Sequence, residues 1–255
     1  MDLLHIVLLI AAGIAGGIIA AVVGGAAIVT FPALLAAGLP PVTAMVANTA
    51  ALTPSLLLAA VYDRSQLPRL GGNFVSMVVA SVLGALIGAV LLVLTPEKMF
   101  ATLVPLLLAF ATALFAYAGR ISVWLAKRAA SAGDKQRWTH SLPALLPVSV
   151  YGGYFGVGVG VLLLGVLSVG TGGDYRSANV AKNLVAGLNS ATASAIFILQ
   201  GRVFWAATLL MMAGTLLGGP IGARVAQIMP NAAARKLVVV VGALLTGIFA
   251  WRYWF

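Results

Sequence analysis

Lys182 is the residue whose type and position most directly predict chemistry in this sequence. It is the one charged residue in the apolar run 178–199. A basic side chain inside a membrane costs several kcal/mol unless it meets water or a partner, so it marks a functional site by default. Its ammonium group offers three donors to an anion such as a sulfite, a sulfonate or a carboxylate. The alternative is that the side chain reaches a membrane edge near Asp174 and Arg176.

Small polar side chains form a stripe around Lys182 and recur in an earlier run of the chain. The stripe residues follow one another at steps of three or four, which places them on one helix face and suits them to line a path. Hydrogen bonding between helices is the alternative role for each of them. The stripe comprises Asn179, Asn183, Gly187, Ser190 and Ser194. The polar residues that we predict to accompany Lys182 in an anion site are Asn48, Thr49, Thr53, Asn183, Asn189 and Ser190.

Clustered glycines precede the polar run in each half of the chain. Gly24 and Gly25 lie ahead of Pro32, and Gly158 lies within a similar cluster in the second half. Glycine at this density favours helix breaks, and the helix ends at a break can offer amide donors to an anion. Close packing of helices through small residues is the alternative. We predict that Gly24, Gly25 and Gly158 contribute backbone to the site.

The composition places these residues in a membrane protein. Hydrophobic residues make up 62% of the chain and charged residues 8%, and the mean hydropathy is +1.10. A soluble domain averages near half and a quarter respectively. The net charge of +10 comes from Lys and Arg in the breaks between apolar runs. Basic loops of this kind report membrane topology, so we expect no nucleic-acid partner. Cysteine is absent.

Ten apolar segments are expected, of which eight to ten cross or enter the membrane, in an all-α polytopic fold. The first is a helix and not a signal peptide, because it lacks a basic start and a cleavage site. The segments of the first half are 3–23, 26–37, 42–61, 74–94 and 100–117. Those of the second half are 142–157, 161–169, 178–199, 203–228 and 232–254.

The two halves are related by a constant shift of 134 positions, which carries Gly24 onto Gly158, Asn48 onto Lys182 and Pro96 onto Pro230. We therefore predict a first repeat over 1–119, a polar basic linker over 120–140 on the cytoplasmic side, and a second repeat over 141–255. An inverted arrangement collects most Lys and Arg on one side, as the positive-inside rule requires. Each repeat would begin with a broken or re-entrant glycine-rich region.

The acidic residues all lie in breaks or near the N-terminus, and none lies in the middle of an apolar segment. A coupling proton would have to use Asp63, Asp174, His5 or the substrate itself, and sodium is the other candidate coupling ion. The sequence has no HExxH or GxSxG motif and no buried Asp pair. We therefore expect no enzymatic activity, no metal site and no cofactor.

The order of motifs along the chain resembles the TauE/SafE sulfite exporter family. The matching residues of the first half are Gly13, Gly24, Gly25, Pro32, Gly38, Pro40, Pro41, Ala44, Asn48, Thr49 and Pro54. Those of the second half are Gly152, Gly153, Phe155, Gly156, Gly158, Gly160 and the stretches 179–189, 201–205 and 218–222. The family's first repeat often has three consecutive glycines where this chain has Gly24, Gly25 and Ala26.

The resemblance implies a bacterial inner-membrane permease for sulfite, organosulfonates or related small anions, usually exported. Combined with the residues above, it favours a carrier that alternates access as one repeat moves against the other. A channel or facilitator, or a carrier of a small carboxylate, is the alternative on the same scaffold. An intramembrane enzyme and a purely structural subunit fit the residues less well. The expected partners are the anion, the lipid bilayer, a coupling proton or sodium ion, and a second copy in a homodimer.

Overall fold

The computed structural model describes residues 2–62, 64–67, 73–131, 134–171, 174–228 and 231–254. Within these ranges the chain forms ten α-helices and one short 3₁₀ turn, Arg64–Gln66, and no strand. The helices of the first half are α1 (Leu3–Val23), α2 (Ala27–Ala36), α3 (Pro41–Tyr62), α4 (Asn73–Leu94) and α5 (Glu97–Ser131). Those of the second half are α6 (Asp134–Tyr154), α7 (Val159–Gly170), α8 (Tyr175–Leu199), α9 (Trp205–Ile228) and α10 (Asn231–Trp254).

Six of the helices in the described ranges are long and apolar enough to cross a membrane: α1, α3, α4, α5, α9 and α10. This assignment rests on length and composition, since about 20 apolar residues span a bilayer. The helices α2 and α7 are apolar but only 10 and 12 residues long, and α6 and α8 are long but more polar. Each of the ten predicted segments overlaps one helix, so the all-α polytopic fold is confirmed.

Many large apolar side chains lie exposed on the outer helices, as expected of surfaces that face lipid. On α4 alone they recur at Phe74, Val75, Val79, Leu83, Leu86, Ile87, Val90, Leu91 and Leu94. The polar residues of α3 and α8 are mostly turned inward. Asn48, Lys182 and Asn189 are all nearly inaccessible to solvent. The polar site therefore lies inside the helix bundle.

Glycines allow two pairs of helices to pack with their backbones in contact. On α1 a side chain added at Gly17 would come within 2.5 Å of the carbonyl oxygen of Thr215 on α9, and one at Gly13 within 2.6 Å of that of Met211. On α4 a side chain at Gly84 would come within 2.7 Å of the carbonyl oxygen of Leu146 on α6. Small residues at such contacts are a common means of holding membrane helices together. These pairs join the first half of the chain to the second.

The helix boundaries recur at the shift of 134 positions. This shift carries the first residue of α3 onto that of α8 and the first residue of α5 onto that of α10. It also carries the last residues of α2 and α4 onto those of α7 and α9.

The helices related by this shift run in opposite directions where they touch. Along the contact between α3 and α8, Thr53 lies against Ser194 and Leu57 lies against Gly187. Along the contact between α5 and α10, Thr102 accepts a hydrogen bond from Trp254 and Gly119 lies against Arg235. In both pairs the residue numbers rise on one helix as they fall on the other. The two pairs are therefore antiparallel.

The predicted linker at 120–140 is largely helical. Helix α5 continues to Ser131, and α6 begins at Asp134. Lys, Arg, Gln and Ala are good helix formers, so a polar stretch rich in them does not end a helix. The polar residues of this stretch mark the end of the apolar surface of α5, but the helix itself continues to Ser131.

Candidate anion-binding site

Two glycines in the left-handed conformation mark the helix breaks. Gly24 ends α1 with a φ of 78°, and Gly158 precedes α7 with a φ of 79°. Residues with a Cβ rarely adopt this conformation, which costs roughly 1–2 kcal/mol for them. The amide of Gly24 closes α1 through hydrogen bonds to the carbonyls of Ile19 and Ala20. The chain then turns and starts a new helix within a few residues.

The new helices begin with free amide groups. Among the hydrogen bonds of the described residues, none uses the backbone N–H of Gly25, Ala26 or Ala27 at the start of α2. The same holds for Gly158 and Gly160 at the start of α7, within the part of the chain that the structure describes. The N-terminus of a helix carries a partial positive charge and unpaired donors, which together favour an anion.

The two breaks touch each other. A Cβ added to Gly160 would lie only 2.6 Å from the carbonyl oxygen of Gly24. This contact leaves no room for a side chain at Gly160. The starts of α2 and α7, which lie far apart in the sequence, therefore meet at one place inside the bundle.

A cavity of about 70 Å³ lies where the breaks meet α3 and α8. By the usual measure of about 10–15 Å³ for each water, it has room for roughly five waters or one small ligand. Its backbone lining comes from the breaks and includes Gly24, Gly25, Ala26, Ala27, Gly152, Gly156, Gly158 and Gly160. Its polar side chains are Asn48, Thr49, Ser55, Lys182, Asn183, Asn189 and Ser190. No carboxylate is among the residues that line it.

The ammonium group of Lys182 lies inside this cavity. The side chain is 6% exposed, and Nζ donates a hydrogen bond to Oδ1 of Asn179 at 2.8 Å. Nζ also lies beside the first helix break, because a Cβ on Gly24 would be 3.1 Å away from it. No salt bridge to Lys182 occurs among the described residues, so two of its three donors are left for a ligand or water. The position is buried, unlike that of a side chain that reaches the membrane edge.

Asn48 and Asn189 present amide groups to the same cavity. Oδ1 of Asn48 accepts a hydrogen bond from the hydroxyl of Thr30, which leaves its Nδ2 as the free donor. Asn189 is 2% exposed, and neither Oδ1 nor Nδ2 has a partner among the described atoms. A buried amide without partners is costly. A ligand or water in the cavity would supply those partners.

Comparisons with known proteins identify the family to which this chain belongs. The profile of the family described as sulfite exporter TauE/SafE matches residues 9–249. The chain belongs to the TauE/SafE family. The match covers both helix breaks and both polar helices, so the resemblance carried by the motif order is confirmed. With the six apolar helices, family membership makes the chain a multi-pass membrane protein, consistent with the inner membrane of a bacterium.

Curated relatives carry names that agree with the TauE/SafE assignment. A protein of Haemophilus influenzae named "Probable membrane transporter protein" is 27% identical, over 96% of this chain and 94% of its own length. "Probable membrane transporter protein YfcA" of Escherichia coli K12 is 26% identical, over 90% and 84% respectively. "Probable membrane transporter protein ORF9" of a Sinorhizobium species is 28% identical, over 93% and 89%. No solved structure matches the chain.

The structure brings together most of the residues that the sequence suggested for a TauE/SafE anion site. Thr53 is the exception. Its hydroxyl donates to the carbonyl of Thr49 and lies 3.1 Å from the hydroxyl of Ser194, and it is not among the residues that line the cavity. The residues that do line it are Gly24, Gly25, Asn48, Thr49, Gly158, Lys182, Asn183, Asn189 and Ser190.

Three residues in or behind the cavity were not among the site residues predicted from the sequence: Thr30, Ser55 and Gly160. Thr30 holds Asn48 but lies in an apolar segment, where one hydroxyl gives no pattern. Ser55 lines the cavity and lies one helical turn beyond Leu52, which also lines it. Gly160 makes the contact between the breaks, but it was one glycine among many. For Ser55 the sequence held two signals, namely its helix-face spacing and its equivalence to Asn189 at the shift of 134 positions.

Asp174 caps the helix that carries Lys182. Its carboxylate accepts hydrogen bonds from the backbone amides of Arg176 and Ser177. A side-chain hydrogen bond with Ser177, those backbone bonds and the charge of Arg176 lower the pKa of Asp174 from its usual 3.8. The group is exposed at the start of α8 and is ionised at neutral pH. It therefore suits helix capping better than proton transfer at that pH.

Proposed function

We propose that this protein is a secondary transporter that exports a small sulfur-containing anion, such as sulfite or an organosulfonate. The observation that carries the proposal is the cavity that combines Lys182, the free amides at the starts of α2 and α7, and no carboxylate. A desolvated site of this kind favours an anion over a cation or a neutral solute. Family membership supports sulfur oxyanions as the class to test first.

The donors in the cavity suit a compact oxyanion. Lys182 supplies the compensating charge, while Asn48, Asn183 and Asn189 hydrogen-bond the oxygens. The hydroxyl of Thr49 donates to the carbonyl of Met45 in this conformation, so it donates to the anion only after it turns into the cavity. Ser190 and the backbone of Gly24, Gly25 and Gly158 complete the shell. The volume of about 70 Å³ fits sulfite more readily than a long organosulfonate in this conformation. A small carboxylate meets the same donors, so it is the alternative substrate class on the same scaffold.

We further propose that the halves over 1–119 and 141–255 are inverted repeats that rock against each other to alternate access. Supporting observations are the recurring helix boundaries, the antiparallel pairs α3 with α8 and α5 with α10, and the matched glycine breaks. Related helices that run antiparallel fit an axis in the membrane plane. The site then lies where the repeats meet, as in other transporters built from inverted repeats.

The experiment that tests the substrate class is a binding screen of the purified protein. The panel contains sulfite, sulfate, thiosulfate, taurine, sulfoacetate and simple carboxylates, each measured as a ligand-induced rise in melting temperature and then by calorimetry. Saturable binding of at least one sulfur anion, with no response to sodium chloride at the same ionic strength, supports the proposal. A protein that binds none of the panel rejects it.

A channel or facilitator is the alternative mechanism. A carrier in liposomes shows saturable flux and counterflow, in which external unlabelled anion drives exit of labelled anion from inside. A channel shows neither. The same liposomes identify a coupling ion, because a proton or sodium gradient applied across them drives accumulation only if that ion is coupled. Light scattering of the purified protein in detergent tests for the homodimer.

A further inference from the structure

Thr30 lies behind the cavity and contacts Asn48, the one amide side chain that the described residues of the first half contribute to the cavity lining. Its side chain is fully buried, and its hydroxyl oxygen lies 2.5 Å from Oδ1 of Asn48. The carbonyl of Ala26 is a second, more distant acceptor at 3.1 Å. Thr30 itself is not among the residues that line the cavity.

Three helices of the first half build this contact. Gly16 on α1 makes room for the methyl group of Thr30, since a Cβ at Gly16 would collide with Cγ2 of Thr30. Thr30 on α2 then presents its hydroxyl to Asn48 on α3. Because the methyl group is held by packing, the hydroxyl has little freedom to turn away from Asn48.

The hydrogen bond selects which end of the amide faces the ligand. An amide has one acceptor end and one donor end. When Thr30 donates to Oδ1, the acceptor end is engaged and the NH₂ group remains for the cavity. If the amide turned around, its oxygen would face the anion, and the like partial charges would repel. By holding the amide of Asn48 in this orientation, Thr30 therefore favours the binding of anions, although it does not contact them itself.

We infer that Thr30 is a positioning residue that holds Asn48 in the orientation that donates to the anion, and that it thereby contributes to selectivity. This inference rests on the proposed function, because it assigns a role within the same site. It adds to the site a residue on α2 that affects anion binding only by orienting Asn48.

The test compares T30V, T30S, N48A and the double variant T30V/N48A as full-length purified proteins. Valine keeps the shape of threonine and removes the hydroxyl, while serine keeps the hydroxyl. The matched control is T208V on α9, because Thr208 is also fully buried and its hydroxyl donates to the carbonyl of Phe204, four residues earlier. The probe is sulfite, measured by titration calorimetry, and melting temperature is recorded for every variant.

T30V is expected to weaken sulfite binding about fivefold, the usual effect of losing one buried hydrogen bond. T208V should bind within about twofold of the unaltered protein. T30S should bind more tightly than T30V and more weakly than the unaltered protein, because it keeps the hydroxyl but loses the methyl group that holds it. In the N48A background the T30V change should have no further effect on the dissociation constant, because the amide of Asn48, through which Thr30 affects binding, is absent. If T30V does not purify, T30A removes the same hydroxyl and is used in both backgrounds.

Two results would overturn the assignment alone: T30V binding sulfite as tightly as the unaltered protein, or T30V weakening binding equally with and without Asn48. The second would show that Thr30 acts through general packing. An unaltered protein that binds no anion of the panel rejects the proposed function, and the role of Thr30 with it. The two failures are thus distinguishable from one data set.

Discussion

The ammonium group of Lys182 lies against the backbone of Gly24, with Nζ 3.1 Å from where a Cβ on that glycine would be. These residues come from different halves of the chain, one from a polar helix and the other from a helix break. The contact brings a full positive charge to the free amides at the start of α2. In a cavity without a carboxylate, that combination supports the proposal that the site binds an anion.

Replacement of Lys182 by Met should weaken sulfite binding by at least about tenfold, because charge-assisted hydrogen bonds are removed. Methionine keeps an unbranched chain of similar length, so we expect normal expression. The matched control is K98M, which removes a lysine at the exposed start of α5. Wild-type binding and transport by the Lys182 variant would reject its role.

Gly24→Ala should weaken anion binding by more than its loss of folding stability explains. The alanine is strained by the φ of 78°, and its Cβ also presses on Nζ of Lys182. Gly38→Ala is the matched control, since its φ of 88° is similar and nothing lies within 4 Å of the added Cβ. Both variants should lose roughly 1–2 kcal/mol of stability. Equal binding by the two variants would show that the space beside Lys182 is not needed.

A disulfide between T53C and S194C should stop transport. The two hydroxyl oxygens lie 3.1 Å apart across the contact between α3 and α8, so paired thiols could be bridged with a small shift. If one repeat rocks against the other, the bridge locks this contact closed. The measurement is sulfite flux in liposomes after an oxidant and again after a reductant. The unaltered protein is a clean control because it has no cysteine, and undiminished flux through the bridged protein would contradict the rocking mechanism.

Gly218→Ala should destabilise the protein strongly, whereas its neighbour Gly219→Ala should not. A Cβ at Gly218 would collide with the carbonyl oxygen of Ile14 on α1, while nothing lies within 4 Å of one at Gly219. Overpacking of this kind costs typically 1–3 kcal/mol. Alanine at an open helical position gains up to about 1 kcal/mol over glycine. Melting temperatures of the two variants in detergent provide the measurement, and similar values would argue against tight packing of α1 on α9.

Asp174→Ala should destabilise the start of α8, and the difference from the unaltered protein should shrink in acid. The pKa of Asp174 is lowered in the folded state. Its stabilising effect is therefore fully present above its usual pKa near 3.8 and is lost as the pH falls through the lower folded value. Melting curves of both proteins at several pH values measure this difference. A change in transport near neutral pH that disappears in Asp174→Ala would instead point to proton coupling through this group.

Local sequence features determined the helices and singled out candidate residues for the site. Apolar runs predicted eight of the ten helices to within a few residues at both ends, because burial in lipid requires such runs. The exceptions are α5 and α6, which extend beyond their apolar runs. Lys182 stood out since a charge in such a run needs a partner. In the stretch at 120–140 the apolar surface ends near residue 120, whereas the backbone of α5 stays helical to Ser131 and that of α6 is helical from Asp134.

Only the tertiary structure decided which of these residues meet. Gly24 and Gly160 are 136 positions apart in the sequence, yet their backbones touch. Thr53 has the same polarity as Thr49, but its hydroxyl turns to Ser194 and away from the cavity lining. Thr30 contacts Asn48 through the angle at which α2 packs on α3. Such distances depend on how separate helices cross, and neither composition nor spacing along one helix contains that information.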